Sequence, residues 1–274
     1  MVEISPVDHG TTALECFFKD SMNNNSSTSA SVLDSRLIHT LRRTMGPNIK
    51  PTAIQSNAIP LLLNGYDVMA SSPTGSGKSL MFGLPLLQRL LQTSTVRNNN
   101  SNNNIGAPAS LIISPTRELA IQTSAVLKSF VNSNNNNKKT LLNVCLATGG
   151  ADVKSQRQQL PSCDVLVGTP GRIIQFIDER KLSLSNIEYL VIDEADRLLD
   201  MGFEPQLTRI GRSLRYNEQK SILCSATLKA QRLASDFLKS NYYFVSVGKV
   251  GGTHSNIKQR FEWVNTNFYY DNNN

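Results

Sequence analysis

The feature that most constrains the fold is a repeated alternation of short apolar runs with longer amphipathic stretches. Strand candidates, each four or five residues and rich in Val, Ile and Leu, are Asp67–Ser71, Ser110–Ser114, Val144–Ala147, Asp164–Gly168, Tyr189–Ile192, Ser221–Cys224 and Tyr243–Val247. Their near-continuous apolar character is that of strands buried on both faces of a parallel sheet. Helical stretches separate most of them, over Lys78–Leu91, Glu118–Val131, Arg172–Glu179, Pro205–Leu214 and Leu228–Leu238. The alternation predicts an α/β domain built on a doubly wound, mostly parallel sheet. Ligands of such sheets bind beyond the carboxyl ends of the strands, so the residues that follow each run carry the chemistry. In order they read SPTGSGKS, PTREL, TGG, TPGR, DEAD and SAT. All are predicted to converge on one edge.

Asparagine tracts at Asn23–Asn25, Asn98–Asn104 (broken by Ser101), Asn134–Asn137 and Asn272–Asn274 interrupt this pattern. Such runs cannot bury enough apolar surface to fold and read as loops or tails. The 274 residues then suffice for one large domain with tails but not for two. A hydrophobic content of 39% with 18% charged residues excludes a disordered chain. The net charge of +7 favours a polyanionic partner such as nucleic acid.

The cysteines, Cys16, Cys145, Cys163 and Cys224, form no C-x-x-C pair and lack zinc spacing with histidine. Three lie in or beside apolar runs, which predicts buried reduced thiols in an intracellular protein, cytoplasmic or nuclear. Neither a signal peptide nor an apolar run approaching a membrane span is present.

Ser72, Pro73, Thr74, Gly75, Ser76, Gly77, Lys78 and Ser79 follow a strand candidate and open a helix, the context that a phosphate-binding loop requires. Gly75 and Gly77 allow the backbone N–H groups to curl toward phosphate oxygens, and the helix N-terminus adds its positive dipole end. Lys78 is placed to reach the β- and γ-phosphates of ATP, and the Ser79 hydroxyl to ligate Mg²⁺. An acidic turn such as Asp193-Glu194 is more often a solvated loop, but facing a phosphate loop it suits metal-assisted phosphoryl transfer. Asp193 would hold Mg²⁺ and Glu194 would orient and deprotonate the attacking water.

The complete set, in this order, resembles the DEAD-box RNA helicases. Asp193-Glu194-Ala195-Asp196 is similar to the family's signature, and Pro51-Thr52-Ala53-Ile54-Gln55 to its Q motif. The resemblance implies a RecA-like P-loop NTPase domain that uses ATP and Mg²⁺, with Pro51 and Gln55 at the nucleotide and the glutamine reading the adenine edge. It implies RNA contacts at Pro115, Thr116, Arg117, Gly149, Gly150, Thr169, Pro170, Gly171, Arg172, Gln206 and Arg209. Asp196, Ser225, Ala226 and Thr227 would couple hydrolysis to strand separation. Arginines and backbone amides suit phosphate oxygens, so the grip on RNA is expected to be largely independent of sequence. The segments Met201–Gln206 and Val247–Gln259 resemble the Vasa-like branch.

The sequence departs from the family at four points. Ser72 replaces the first glycine of the loop, and Pro73 stands where glutamine is usual, removing a backbone donor. The Leu37-to-Pro51 spacing is about two residues longer than the family norm. The aromatic residue expected to stack on adenine is displaced; Phe17 or Phe18 could supply it, or could be packing residues of a tail.

The resulting domain expectation is a tail over 1–32, the ATP-binding domain over 33–248 and a linker over 249–274 leading into a second RecA-like domain. An arginine finger from such a domain contributes roughly 10³–10⁵ in rate, or about 4–7 kcal/mol. The chain alone is therefore expected to be nearly inactive. The leading functional expectation is an ATP-dependent RNA helicase. Alternatives are an ATP-gated RNA clamp with little unwinding and a P-loop DNA translocase.

Overall fold

Side-chain parity along the strands divides the interior into two layers. In the computed structural model, which describes residues 2–4, 33–93, 105–131, 142–215 and 219–248, the strands are β1 (Val2–Ile4), β2 (Val68–Ser71), β3 (Ser110–Ile113), β4 (Val144–Ala147), β5 (Val165–Gly168), β6 (Tyr189–Ile192), β7 (Lys220–Ser225) and β8 (Tyr243–Ser246). Successive residues point to opposite faces. Val68, Ala70, Ile112, Val165, Val167, Val191 and Ile222 enter one apolar layer, while Met69, Leu111, Ile113, Leu166, Leu190, Ile192 and Leu223 enter the other. Every residue of β2, β3, β5 and β6 is buried, as the apolar runs require of strands covered on both sides.

The first layer is closed by α1 (Ser35–Met45), α2 (Ala53–Leu63), α3 (Lys78–Thr93) and α4 (Arg117–Val131), which insert Leu37, Ile54, Leu87 and Leu127. The second is closed by α6 (Pro170–Asp178), α7 (Ala195–Asp200), α8 (Glu204–Arg212) and α9 (Gln231–Phe237), through Phe176, Leu198, Ile210 and Phe237. A short helix, α5 (Val153–Gln159), links β4 to β5.

All strand pairs are parallel, and the order across the sheet is β1-β8-β2-β7-β6-β3-β5-β4. The sheet is thus wholly parallel among the described strands, where a mostly parallel one was expected. Val2–Ile4, within the segment read as a tail, adds the strand beside β8. The helical stretch expected over Leu228–Leu238 is a 3₁₀ turn, Leu228–Ala230, followed by α9. Helices α1, α2, α5 and α7 are additions to the sequence reading. A capping box at α2, with Thr52 at the N-cap and Gln55 three residues on, is the local signal that marks its start.

The Asn tracts, Cys16, Phe17, Phe18 and residues 249–274 lie outside the described residues. Among the described residues, no helix is long and apolar enough to cross a membrane.

Candidate functional site

Because every strand is parallel, all carboxyl ends lie on one edge of the sheet, and strand order decides which of them are neighbours. The ends of β2, β7 and β6 are adjacent, and they carry Ser72–Ser79, Ser225–Thr227 and Asp193–Asp196. The ends of β3, β5 and β4 form the other half, with Pro115–Arg117, Thr169–Arg172 and Gly149–Gly150. Backbone bonds continue the ladder past the strands: Ser72 N–H donates to the Ser225 carbonyl (3.2 Å), Asp193 N–H to Ile113 (2.9 Å), Ser114 N–H to Gly168 (2.9 Å) and Thr169 N–H to Ala147 (2.9 Å). The loops therefore begin from a rigid edge.

In the first half, the loop over 72–79 is shaped by its glycines. Gly75 and Gly77 have φ of +76° and +93°, which L side chains rarely adopt. A Cβ on Gly77 would also lie 2.4 Å from Gln55 Nε2. The Gln55 side chain packs against the loop. Its Nε2 donates to the Gly77 carbonyl (3.1 Å), and its Oε1 accepts from Thr52 N–H (3.0 Å). The residue expected at the adenine edge is thus a brace of the phosphate loop as well, with one Oε1 lone pair left over. Pro51 lies immediately before this brace, half-buried.

Lys78 is buried, and its Nζ donates to the carbonyls of Ser72 (2.7 Å) and Pro73 (2.9 Å). Pro73, which gives the loop no N–H, supplies an acceptor here. Thr74 is exposed, Ser76 shares a hydrogen bond with Ser72 (Oγ to Oγ, 2.7 Å), and Ser79 is half-buried in the first turn of α3.

Asp193 is 6% exposed at the end of β6. Burial, reinforced by the charge of Glu194, raises its pKa to about 6, and the Lys78 ammonium opposes that rise. Glu194 sits at φ +47°, ψ +52°, a left-handed conformation costly for a non-glycine residue and frequent at functional sites. It aims its backbone N–H at Asp193 Oδ1 (3.0 Å), and its carboxylate accepts from Arg197 (3.3 Å). Asp196 Oδ2 accepts from Ala226 N–H (3.2 Å), so β6 and β7 are tied directly between the expected catalytic and coupling segments. Ser225 Oγ donates to the Thr227 carbonyl (2.7 Å), and among the described residues Thr227 Oγ1 is buried without a partner.

Hard oxygens from Ser79 and Asp193 form a donor set suited to Mg²⁺, which at phosphate sites needs only one or two protein ligands. Among the described residues no cluster of three His, Cys, Asp or Glu side chains forms a self-sufficient metal cage. A buried carboxyl held near pKa 6 is also one that a divalent cation would ionise fully.

In the second half, Arg117 spans from β3 to β4 and donates to the Gly150 carbonyl (2.9 Å). Gly150 has φ +69°, and a Cβ there would lie 2.7 Å from Arg117 Nη1. Thr116 Oγ1 accepts from Leu119 N–H (3.3 Å), starting α4, and Pro115 is buried behind it. Gly149, Gly150 and Gly171 are exposed, Thr169 is half-buried and Pro170 is buried at the first turn of α6.

Arg172 departs from the picture of a surface phosphate ligand. It is 9% exposed, donates to Gln156 Oε1 (3.0 Å) and lies over the Phe176 ring (5.7 Å). Gln156 is the residue that sequence reasoning misses. Its amide accepts from Thr148 N–H (3.2 Å) and donates to the Thr148 carbonyl (3.1 Å), joining the turn after β4 to α6. A glutamine on a short polar helix carries no sequence signal of this role. Arg209 is exposed on α8 and paired with Asp178 at the end of α6 (Nη1 to Oδ2, 3.2 Å), while among the described residues Gln206 Oε1 is buried without a partner.

A family model, DEAD/DEAH box helicase, matches residues 52–235. Among solved structures, a DEAD box protein from the hyperthermophile Methanococcus jannaschii is 33% identical, with a TM-score of 0.63 over 78% of this chain and 54% of that one. A hypothetical ATP-dependent RNA helicase from Sulfolobus tokodaii is 26% identical, with a TM-score of 0.65 over 78% of this chain and 57% of that one. The chain thus spans a little over half the length of each.

Proposed function

This chain belongs to the DEAD/DEAH box helicase family, and from that premise we propose that it is the ATP- and RNA-binding domain of an ATP-dependent RNA helicase. The observation that carries this reading is the strand order. It sets Lys78, Asp193 and Thr227 at the ends of three adjacent strands, and the arginine-bearing turns at the ends of the next three.

In the proposed cycle, Lys78 exchanges its two backbone carbonyls for phosphate oxygens of ATP. Bound Mg²⁺ supplies charge neutralisation for phosphoryl transfer, with Ser79 and Asp193 as the residues that would hold it. Glu194, fixed by its left-handed backbone, orients and deprotonates the attacking water. Gln55 offers its remaining lone pair to the adenine amino group, and Ser72 to Ser76, Pro51 and Thr74 line the loop. Asp196 links Glu194's helix to Ala226, so a shift at the phosphate site reaches Ser225–Thr227.

RNA is gripped along its backbone by Thr116, Arg117, Gly149, Gly150, Thr169, Pro170, Gly171, Gln206 and Arg209, with Arg172 acting through Gln156 as a positioning residue and Pro115 as support. Arg117 and Arg209 now occupy acceptors that a phosphate could replace. The buried, unpaired Gln206 Oε1 favours a hydroxyl donor as its partner. A second RecA-like domain of the Vasa-like type, entered through residues 249–274, would complete the motor. Among the described residues Cys145, Cys163 and Cys224 are buried free thiols, which supports an intracellular location.

The test is hydrolysis with single-stranded RNA, single-stranded DNA or neither, together with duplex unwinding, by protein carrying both domains. RNA-specific stimulation and unwinding are expected, and Glu194→Gln should keep ATP binding while losing turnover by at least about 10²-fold. Equal stimulation by DNA, or unchanged turnover in the variant, refutes the reading. The 274 residues alone are expected to bind nucleotide with almost no stimulated turnover.

A further inference from the structure

The two faces of the sheet differ in charge. The helices of the first face, α1 to α4, carry a single carboxylate, Glu118, against Arg36, Arg42, Arg43, Arg89, Arg117 and Lys128, all of them exposed or half-buried. Those of the second face, α6 to α9, carry Asp178, Asp196, Asp200, Glu204 and Asp236. Three of these acids pair with Arg209, Lys229 and Arg232. The second face thus largely neutralises itself, whereas the first keeps a surplus of positive charge.

The surplus is densest on α1. Leu37, Ile38, Thr40 and Leu41 turn inward, while Arg36, His39, Arg42 and Arg43 are exposed and no acid lies on the helix. Arg36 is drawn back onto Asp34 at the N-cap (2.6 Å). Arg43, in the last turn, and Lys50, in the loop that follows, are both exposed. The helix points toward the carboxyl edge of the sheet. Asp34 N–H donates to Gln88 Oε1 (2.6 Å), and Gln88 lies about 15 Å along α3 from Lys78. After α1 the chain returns to Pro51 and to α2, whose Gln55 braces the phosphate loop. The helix therefore runs antiparallel to α3 and α4, and it packs against α4, which starts at Arg117.

We infer that the exposed face of α1, continued by Lys50, is a second RNA surface: a track for the phosphates of an RNA that extends past the strand held at the sheet edge. This rests on the RNA reading of that edge. Cations set along one helix face each meet a phosphate without reading a base. A protein partner would need an apolar centre, and the one large hydrophobic side chain that α1 exposes is Met45.

The experiment compares the full chain with Arg43→Gln/Lys50→Gln by fluorescence anisotropy over a series of salt concentrations, on single-stranded RNAs of about 8 and about 24 nucleotides. Gln keeps the helix propensity of Arg, so thermal melting should be unchanged. For the longer RNA, the dependence of log affinity on log salt should become shallower by between about one and two. The shorter RNA and a fluorescent ATP analogue should bind as they do to the wild type. Arg209→Ala, at the edge, should act on both RNAs, so failure of the edge reading shows as an inert Arg209→Ala and failure of this inference as an inert double variant. An unchanged slope for the longer RNA, or an equal loss on both lengths, overturns the inference. So does weaker binding of oligoglutamate by the variant with the longer RNA unaffected, which would assign the face to an acidic protein segment. If the double variant melts early, Arg43→Lys against Arg43→Gln gives the answer: the first should keep the wild-type slope and the second lower it by about one, and equal slopes overturn the inference.

Discussion

Replacing Asp193 by Asn removes a charge that the folded, ligand-free chain holds at a cost. The carboxyl is 6% exposed, and its pKa rises from 3.8 to about 6. At about 1.4 kcal/mol per unit, the ionised form costs about 3 kcal/mol of folding stability. The sign follows from proton uptake. Between the two pKa values the folded chain binds more protons than the unfolded one, so stability falls as pH rises through this window and levels off above it. The penalty is complete at pH 8, about half as large at pH 5 and nearly gone below pH 4. Asn keeps the acceptor for Glu194 N–H, so little else is lost. Urea unfolding of the ligand-free chain should show the variant more stable by about 2–3 kcal/mol at pH 8, with the gain shrinking toward pH 4. Addition of ATP and Mg²⁺ should reverse the order, stabilising the wild type and leaving the variant nearly unchanged. A variant no more stable than wild type at pH 8 would refute the claim that this charge is held against its environment.

Gly77→Ala forces φ +93° on a side chain and brings its Cβ to 2.4 Å from Gln55 Nε2; a stability loss of about 1–3 kcal/mol and at least about tenfold weaker nucleotide binding are expected, read by thermal melting and by titration with a fluorescent ATP analogue. Gln156→Leu strands both Thr148 backbone groups and the Arg172 guanidinium, so a loss of about 2–4 kcal/mol should accompany weaker RNA binding with nucleotide affinity unchanged; equal loss of both affinities would mean general disruption. Arg209→Ala removes an exposed pair with Asp178, which should change stability by under about 0.5 kcal/mol but lower the salt slope of RNA binding by about one; an unaltered slope removes Arg209 from the interface.

Some of this site is legible in the sequence because its signals are local. A strand buried on both faces must be apolar throughout, so the runs mark β2 to β8 to within about a residue at each end. A loop that wraps phosphate needs residues able to adopt positive φ, so Gly75 and Gly77 announce it. The same locality explains what is not legible. The order β2-β7-β6 and β3-β5-β4 is decided by how crossover helices pack on the two faces, and it brings the motif after β2 beside those after β6 and β7, from which chain order separates it by the whole second group. Gln156 matters only because α5 brings it between the β4 turn and Arg172, three elements distant in sequence. Arg117, Arg172 and Arg209 look alike as letters, yet one bridges two strand ends, one is buried over Phe176 and one pairs on the surface. Burial therefore separates roles that residue type cannot: the two exposed arginines can trade a protein acceptor for a phosphate, whereas Arg172 can act only by holding Gln156 and the Thr148 turn in place.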